Sequence, residues 1–199
     1  MPDTDFSNYE VSNALGELDD IFKEWCDCFK RLCDTSHTVP HQSKPEETNV
    51  GIFAGAAWRK NWVVFQEMSR LKKGLGRYGY CDLWIRRDHA SQAYYFESKG
   101  NNTRSKEDAQ YNFEHAIRDT KRLLTEEPEA IKVALAFSNI QFKKNGSINI
   151  DDEIERIVSE IMQIPNDAIA YCFPMTVRDY NDGAYIYPGV ILLAKIVDE

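Results

Sequence analysis

The sequence lacks any hydrophobic run near the length of a membrane span, which needs about 20 apolar residues. The apolar stretch at 190–194 stops at Lys195. The first ten residues are acidic and polar, without the apolar segment of a secretory signal. These absences predict a cytoplasmic protein with no membrane partner.

Paired cysteine motifs are also missing, because the five cysteines form no CxxC and leave an odd count. This favours reduced thiols over a disulfide framework. Cys26 and Cys33 lie on the same apolar helix face as Trp25, so we interpret them as core residues rather than zinc ligands. A Walker-type loop and a nucleophile elbow are absent too, which excludes the common kinase and serine-hydrolase patterns.

The composition is that of a folded domain with an uneven charge. Apolar residues make up 43% of the 199 residues and aromatic residues 12%, enough for a substantial core. The net charge is −8, yet residues 51–125 hold 14 Lys or Arg against 8 Asp or Glu, a net of +6. This basic segment, which includes Lys72, Lys73 and Arg77, is compatible with phosphate binding and equally with solvated helix faces.

The first third of the chain predicts two helices. Ser7 and Glu10 have the spacing of a capping box, and apolar residues then recur every three or four positions, which indicates an amphipathic helix over 8–33. Residues 34–50 are polar and indicate a loop. We therefore divide the chain into an N-terminal helix and polar loop, 1–50, and an α/β core, 51–199. The core should begin with a helix over 56–73, and the apolar stripe of the first helix would suit a homodimer or a protein partner.

Beyond residue 80 the pattern alternates between strands and helices. Continuous apolar strands require a sheet that is covered on both faces, so the fold class is α/β, a mixed β-sheet flanked by helices. Ser105 and Asp108 have the capping-box spacing that begins a helix. The predicted strands are 80–86, 93–99, 131–137, 168–173 and 189–197, with a further helix over 151–163.

The first two of these strands should form a hairpin that carries acidic residues. If it closes symmetrically about His89 and Ala90, Asp82 lies directly opposite Glu97. Opposed side chains have Cβ atoms roughly 4.5–5.5 Å apart, where like charges destabilise the pair. Mg²⁺ or Mn²⁺ between the carboxylates would relieve this repulsion, because hard cations take oxygen ligands. Lys99 lies one pleat beyond Glu97 and could neutralise a transition state.

Asp82 on one strand, Glu97-Ser98-Lys99 on the next and a helix thereafter resemble the PD-(D/E)xK nucleases over about residues 51–140. The resemblance implies a restriction-endonuclease-like core with an N-terminal helical extension. It also implies that Asp82 and Glu97 bind the divalent metal, that the backbone carbonyl of Ser98 completes the site, and that Lys99 supports the attacking water.

The resemblance implies further roles outside the hairpin. Many members of the family add a glutamate from the helix before the hairpin, and Glu67 is the candidate for it here. The helix after the hairpin often carries polar residues that face the site or DNA. In this chain those residues could include Gln110, Arg118 and Lys121. The sequence also departs from the family pattern around the aspartate strand. Cys81 replaces the proline before the aspartate, and residues 74–79 are too few for the strand that normally precedes the aspartate strand.

The sequence therefore predicts a metal-dependent nuclease that hydrolyses phosphodiester bonds in DNA, with RNA less favoured. The alternative is a non-catalytic module with a nuclease-like fold that binds a protein or nucleic acid, with Asp82 and Glu97 as solvated strand residues. The tripeptide Asp119-Thr120-Lys121 also matches the [DE]xK pattern, but it falls in a predicted helix.

Overall fold

Seven strands form one mixed sheet in the computed structural model of the chain, which describes residues 5–39, 45–71, 78–88, 92–125, 127, 129–144 and 149–198. The strands are β1 Phe6–Val11, β2 Trp62–Leu71, β3 Tyr78–Arg87, β4 Ala93–Thr103, β5 Ile131–Lys143, β6 Ala168–Phe173 and β7 Tyr185–Ile196. The helices are α1 Asp19–Ser36, α2 Pro45–Arg59, α3 Lys106–Lys121 and α4 Ile150–Ile161. Two short 3₁₀ helices span Asn13–Leu18 and Met175–Val177.

The sheet is covered by helices on both faces. The strand order is β1-β6-β7-β5-β4-β3-β2, with β4 and β5 parallel and the other neighbours antiparallel. α1 and α2 pack on the face that carries Leu135 and Phe137 of β5. α3 and α4 pack on the opposite face, which carries Ala134 and Ala136. The predicted class, an α/β protein with a mixed sheet flanked by helices, is confirmed.

The second half of the chain follows the predicted elements. β6 spans the residues expected for it, and α4 agrees to within two residues at each end. The hydroxyl of Ser105 accepts a hydrogen bond from the backbone N–H of Asp108, at 3.3 Å, so the predicted cap begins α3. Local signals suffice here because each apolar run lies within one strand or helix, and each cap stabilises the helix that it begins.

The predicted helix over 8–33 is wrong at its start. Residues 6–11 form β1, which pairs with β6 from Phe6 opposite Phe173 to Val11 opposite Ala168. The ring of Phe6 stacks on Tyr171, with centroids 5.3 Å apart. The free edge of β6 supplies backbone partners that a capping box cannot match, so tertiary pairing overrides the local signal. α1 begins only at Asp19, and its apolar face packs against the sheet and α2 within the same chain.

The predicted helix over 56–73 is also wrong. α2 begins at Pro45, inside the predicted polar loop, and ends at Arg59, so the proposed division at residue 50 falls within it. Asn61 takes a left-handed backbone conformation, φ 62°, and the chain turns directly into β2. β2 therefore supplies a strand between α2 and β3 that the sequence analysis did not expect.

Some predicted features lie outside the described residues. They are the hairpin tip at 89–91, with His89 and Ala90, and the basic residues Lys72, Lys73 and Arg77. Among the helices of the described residues, none combines the length and apolar character needed to cross a membrane.

Candidate functional site

The predicted hairpin register is confirmed where the two strands are paired. β3 and β4 pair from Arg86 opposite Ala93 to Leu83 opposite Phe96, which is the symmetric register expected from the sequence. The described ladder between these strands ends there, one pair before Asp82 and Glu97. Beyond that point β3 continues beside β2, and β4 continues beside β5. Asp82 therefore lies where β3 and β4 separate.

The strand is irregular at Asp82. Its neighbours Leu83 and Cys81 pair with Gln66 and Met68 of β2, but no pairing joins Asp82 to Glu67. Glu67 has a positive φ of 52°, a conformation that is uncommon for residues other than glycine. Irregularities of this kind re-aim side chains out of the regular alternation of a strand.

The re-aimed carboxylate of Asp82 lies on the α2 side of the sheet. Its Oδ2 accepts hydrogen bonds from the backbone N–H of Ser98, at 2.6 Å, and from the Ser98 hydroxyl, at 3.0 Å. Ser98 shares its face with Phe96, whose ring packs edge-on against Phe53 of α2. A single serine of β4 thus anchors the carboxylate of β3.

Glu97 points to the other side of the sheet. It follows Phe96 in a regular strand and aligns with Ala134, which packs under α3. Its side chain is buried, with 2% of the residue exposed. Burial raises the pKa of the Cys81 thiol to about 12, and the nearby charge of Glu97 adds to this shift. The expectation that Asp82 and Glu97 face each other is therefore not met, because period-two alternation holds at Glu97 and fails at Asp82.

Glu46, in the first turn of α2, lies beside Asp82. One carboxylate oxygen lies 3.3 Å from the Ser98 hydroxyl, and the other accepts a hydrogen bond from the Gly100 N–H, also at 3.3 Å. A Cβ on Gly100 would lie 2.6 Å from the Cα of Glu46, so only glycine allows α2 to approach β4 this closely. Ser98 therefore bridges two carboxylates that come from different elements.

These groups line an open cavity of about 330 Å³, which we call the carboxylate cavity. Its lining residues are Glu46, Glu47, Val50, Gln66, Glu67, Asp82 and Ser98. Burial raises the pKa of the Glu46 carboxyl above its usual value; the nearby charge of Lys99 and two hydrogen bonds oppose this shift, and Asp82 adds to it. The cavity thus concentrates negative charge that is only partly compensated.

Lys99 extends from the α3 face of β4 toward this group. Its ammonium lies 3.2 Å from the carboxylate of Asp119 and donates to the backbone carbonyl of Ser98 at 2.8 Å. Burial lowers the pKa of Lys99, but the charges of Glu46, Asp119 and Asp82 raise it more, so the pKa lies above its usual value. Lys99 therefore remains a charged ammonium. The backbone carbonyl of Ser98, which was expected to bind the metal, already accepts a hydrogen bond from this ammonium.

The remaining predicted residues are dispersed. Glu67 lines the carboxylate cavity, although from β2 rather than from a helix. Gln110, Arg118 and Lys121 lie on α3, which packs on the sheet face opposite α2; all three are exposed, and the Gln110 amide donates to Glu114. Their contact with nucleic acid stays a prediction.

Sequence reasoning missed Glu46, Glu47 and Gln66. The first two were assigned to a loop and the third to a helix. Two signals could have located them, since proline followed by two glutamates is typical of the first turn of a helix, and Trp62-Val63-Val64-Phe65 has strand composition.

The chemistry of the cavity fits a hard divalent cation. Its polar side chains present oxygen atoms, mostly of carboxylates, which Mg²⁺ and Mn²⁺ prefer. Over the residues that the structure describes, no three His, Cys, Asp or Glu side chains are already grouped as a metal site. Glu46 and Asp82, whose carboxylates both lie within hydrogen-bond distance of the Ser98 hydroxyl, are the candidate ligands. Mg²⁺ commonly uses one or two carboxylates with water and substrate phosphate.

In comparisons with protein-family models, curated proteins and solved structures, nothing matches this chain.

Proposed function

We propose that this chain hydrolyses phosphodiester bonds in nucleic acid, DNA before RNA, with Mg²⁺ or Mn²⁺ held at the carboxylate cavity. The observation that carries this proposal is the convergence of Glu46 and Asp82 on Ser98, in an open cavity beside a charged lysine. A cavity that concentrates carboxylates can hold a divalent cation, and a divalent cation attracts a phosphodiester.

The order of elements supports a restriction-endonuclease-like core. α2, β2, β3, β4 and α3 follow one another as helix, strand, aspartate strand, Glu-x-Lys strand and helix. β2 is a strand at the position, between the helix and the aspartate strand, where the resemblance requires one. The family's additional glutamate from the helix before the hairpin is better matched by Glu46, on α2, than by Glu67.

Each residue then has a defined role. Glu46 and Asp82 would hold the cation, which when bound supplies Lewis acidity and a water of lowered pKa. Ser98 can hold Asp82 through its backbone N–H and Glu46 through its hydroxyl. Lys99, kept protonated, stabilises negative charge on the reacting phosphate and does not serve as the base. Glu97 has no catalytic role in this arrangement.

One observation favours the alternative of a non-catalytic module that binds a protein or nucleic acid. Glu97 is buried beneath α3, and the ammonium of Lys99 already contacts Asp119. Asp82, Glu97 and Lys99 thus do not form the single cluster that the family motif implies, which is what a core that has lost its activity would show.

A cleavage panel on purified protein tests the proposal. The substrates are plasmid, linear duplex DNA, single-stranded DNA and RNA, each with Mg²⁺, Mn²⁺ or EDTA. Cleavage should require metal, and Asp82→Asn, Glu46→Gln and Lys99→Ala should each lower its rate by about a hundredfold or more. Glu155→Gln, which removes an exposed carboxylate of α4, is the matched control and should cleave normally. Absence of cleavage on every substrate would refute the proposal in favour of the binding module.

A further inference from the structure

The helix α3 brings a carboxylate to the lysine of the Glu-x-Lys strand. β4 and β5 are parallel, and α3 is the connection between them, so α3 runs back along the sheet from the end of β4. The buried stripe of α3 includes Ala116 and Thr120. Asp119 lies at the margin of this stripe, with 30% of its side chain exposed. The last turn of α3 therefore places Asp119 where it can contact a residue of β4.

The carboxylate of Asp119 is held between two cations. Its Oδ2 lies 3.2 Å from the ammonium of Lys99, and its Oδ1 lies 3.4 Å from the guanidinium of Arg122. All three side chains are partly exposed, and ion pairs of this kind contribute little to the stability of a protein. The main consequence of the contact with Lys99 is therefore the position that it gives to the ammonium.

The ammonium of Lys99 lies between β3 and β4. In a strand, the N–H and the C=O of one residue point to the same neighbouring strand. The backbone N–H of Ser98 donates to Asp82 of β3, so the carbonyl of Ser98 also points toward β3. The ammonium donates to this carbonyl at 2.8 Å, beyond the last paired residues of the two strands. Lys99 thus reaches from the α3 face to the level of Asp82.

These contacts leave one donor of the ammonium for a substrate. An ammonium has three N–H donors, and the Ser98 carbonyl and the Asp119 carboxylate take two of them. A lysine side chain is long and flexible, so two fixed contacts remove freedom that would otherwise be lost during the reaction. We propose that Asp119 is a positioning residue that holds the ammonium of Lys99 between β3 and β4, with its third N–H available to a phosphate at the carboxylate cavity. This inference rests on the proposed function.

The first test measures the position of the ammonium without cleavage. NMR of ¹⁵N-labelled protein detects a lysine ammonium that is held in place, because its protons exchange slowly with water, and Lys99→Arg identifies the signal of Lys99. The wild type should show this signal in EDTA, and in Mg²⁺ the signal should shift when inorganic phosphate is added. Asp119→Asn should lose the signal, whereas Asp119→Glu should retain it. Glu114→Gln, which removes an exposed carboxylate of the same helix, is the charge-matched control and should also retain it.

The second test measures catalysis. Asp119→Asn should lower kcat for metal-dependent cleavage by about tenfold to a hundredfold, because a small misplacement of a catalytic group can cost this much. KM should stay within about twofold, since Asp119 does not bind the substrate. Asp119→Glu should recover most of the rate. Denaturant unfolding should give nearly equal stabilities for these proteins, which separates a positioning role from a loss of structure.

The outcomes separate this inference from the proposed function. A Lys99 signal that survives Asp119→Asn, or that is unchanged by phosphate in the wild type, overturns the inference even if the protein cleaves. A lost signal in Asp119→Asn with an unchanged or higher kcat also overturns it, because Asp119 would then not help Lys99 to act. A signal that requires Asp119 and shifts with phosphate, in a protein that cleaves nothing, supports the positioning role and refutes the nuclease.

Discussion

The two faces of β4 differ sharply over three consecutive residues. On the α2 face, Ser98 lies in an open polar cavity and holds the carboxylates of Glu46 and Asp82. On the α3 face, Glu97 is buried, and Lys99 contacts Asp119. The motif Glu-Ser-Lys is therefore divided between two environments, and of its three residues only Ser98 lines the carboxylate cavity.

This difference shows that a short motif on a strand must be assigned residue by residue. Lys99 is the only member that reaches both environments, because its long side chain brings the ammonium to the Ser98 carbonyl and within electrostatic range of Glu46. The α2 face is the one on which a cation and a phosphate could be held.

The largest expected effect separates Asp82 from Glu97. Asp82→Asn should lower metal-dependent cleavage by about a hundredfold to a thousandfold, the loss expected when one preorganised electrostatic group is removed. Glu97→Gln, on the buried face, should leave the rate within about threefold, a change of less than 1 kcal/mol in the activation barrier. Initial rates measured beside urea unfolding curves test this, and an equal loss in a well-folded Glu97→Gln protein would contradict the division between faces.

Metal should stabilise the protein through the α2 face. Mg²⁺ at a hundred times its dissociation constant should raise the free energy of unfolding by about 2.7 kcal/mol, by mass action on the folded state. Thermal unfolding across a Mg²⁺ series measures this. Asp82→Asn should abolish this rise, whereas Glu155→Gln should retain it. A melting temperature of the wild type that is unchanged by millimolar metal would favour the binding module.

The approach of α2 to β4 should depend on Gly100. Gly100→Ala places a Cβ 2.6 Å from the backbone of Glu46, and this overpacking should cost about 1–3 kcal/mol in the free energy of unfolding. Gly55→Ala is the control, since its added Cβ meets nothing within 4 Å and alanine favours a helix by about 0.5–1 kcal/mol. Denaturant unfolding of both variants measures their free energies of unfolding. Equal free energies for Gly100→Ala and Gly55→Ala would contradict the prediction.

The raised pKa of Glu46 has a consequence for pH-dependent stability. Because burial raises the pKa of the folded carboxyl above its usual value of 4.5, the folded protein binds more protons than the unfolded chain just above that pH. Without metal, stability should therefore fall as pH rises through this window and level off above the folded pKa. Urea unfolding of wild type and Glu46→Gln from pH 4.5 upward isolates this term. The free energy of unfolding of the wild type, relative to that of Glu46→Gln, should fall as the pH rises. A relative stability that stays constant or increases with pH would contradict this expectation.

The smallest expected effects concern the outer surface of α3. Arg118→Ala and Lys121→Ala should each weaken binding to every nucleic-acid sequence and reduce the slope of log affinity against log salt by about 1. Binding in EDTA across a salt series measures both. Lys23→Ala, an exposed lysine of α1 on the other side of the sheet, is the control, and an equal change in its slope would show a non-specific effect of charge.

The sequence predicted much of the sheet and of the α3 side because those signals are local. The alternation in β3 and β4 predicted their paired register from Leu83 to Arg86, and the cap at Ser105 predicted the start of α3. The candidate site was predicted only in part. Asp82 and Lys99 were identified, whereas Glu46 was missed because its segment is polar and was assigned to a loop.

What the sequence alone determined is the class of fold, through apolar strands that require cover on both faces and helices with their own caps. Tertiary structure decided that residues 6–11 form a strand, because the edge of β6 offers backbone partners more than 150 residues away in the chain. It also decided which acids meet. Asp82 joins Glu46 rather than Glu97 because an irregular strand and a glycine at position 100 bring a distant helix turn to Ser98, and neither depends on local periodicity.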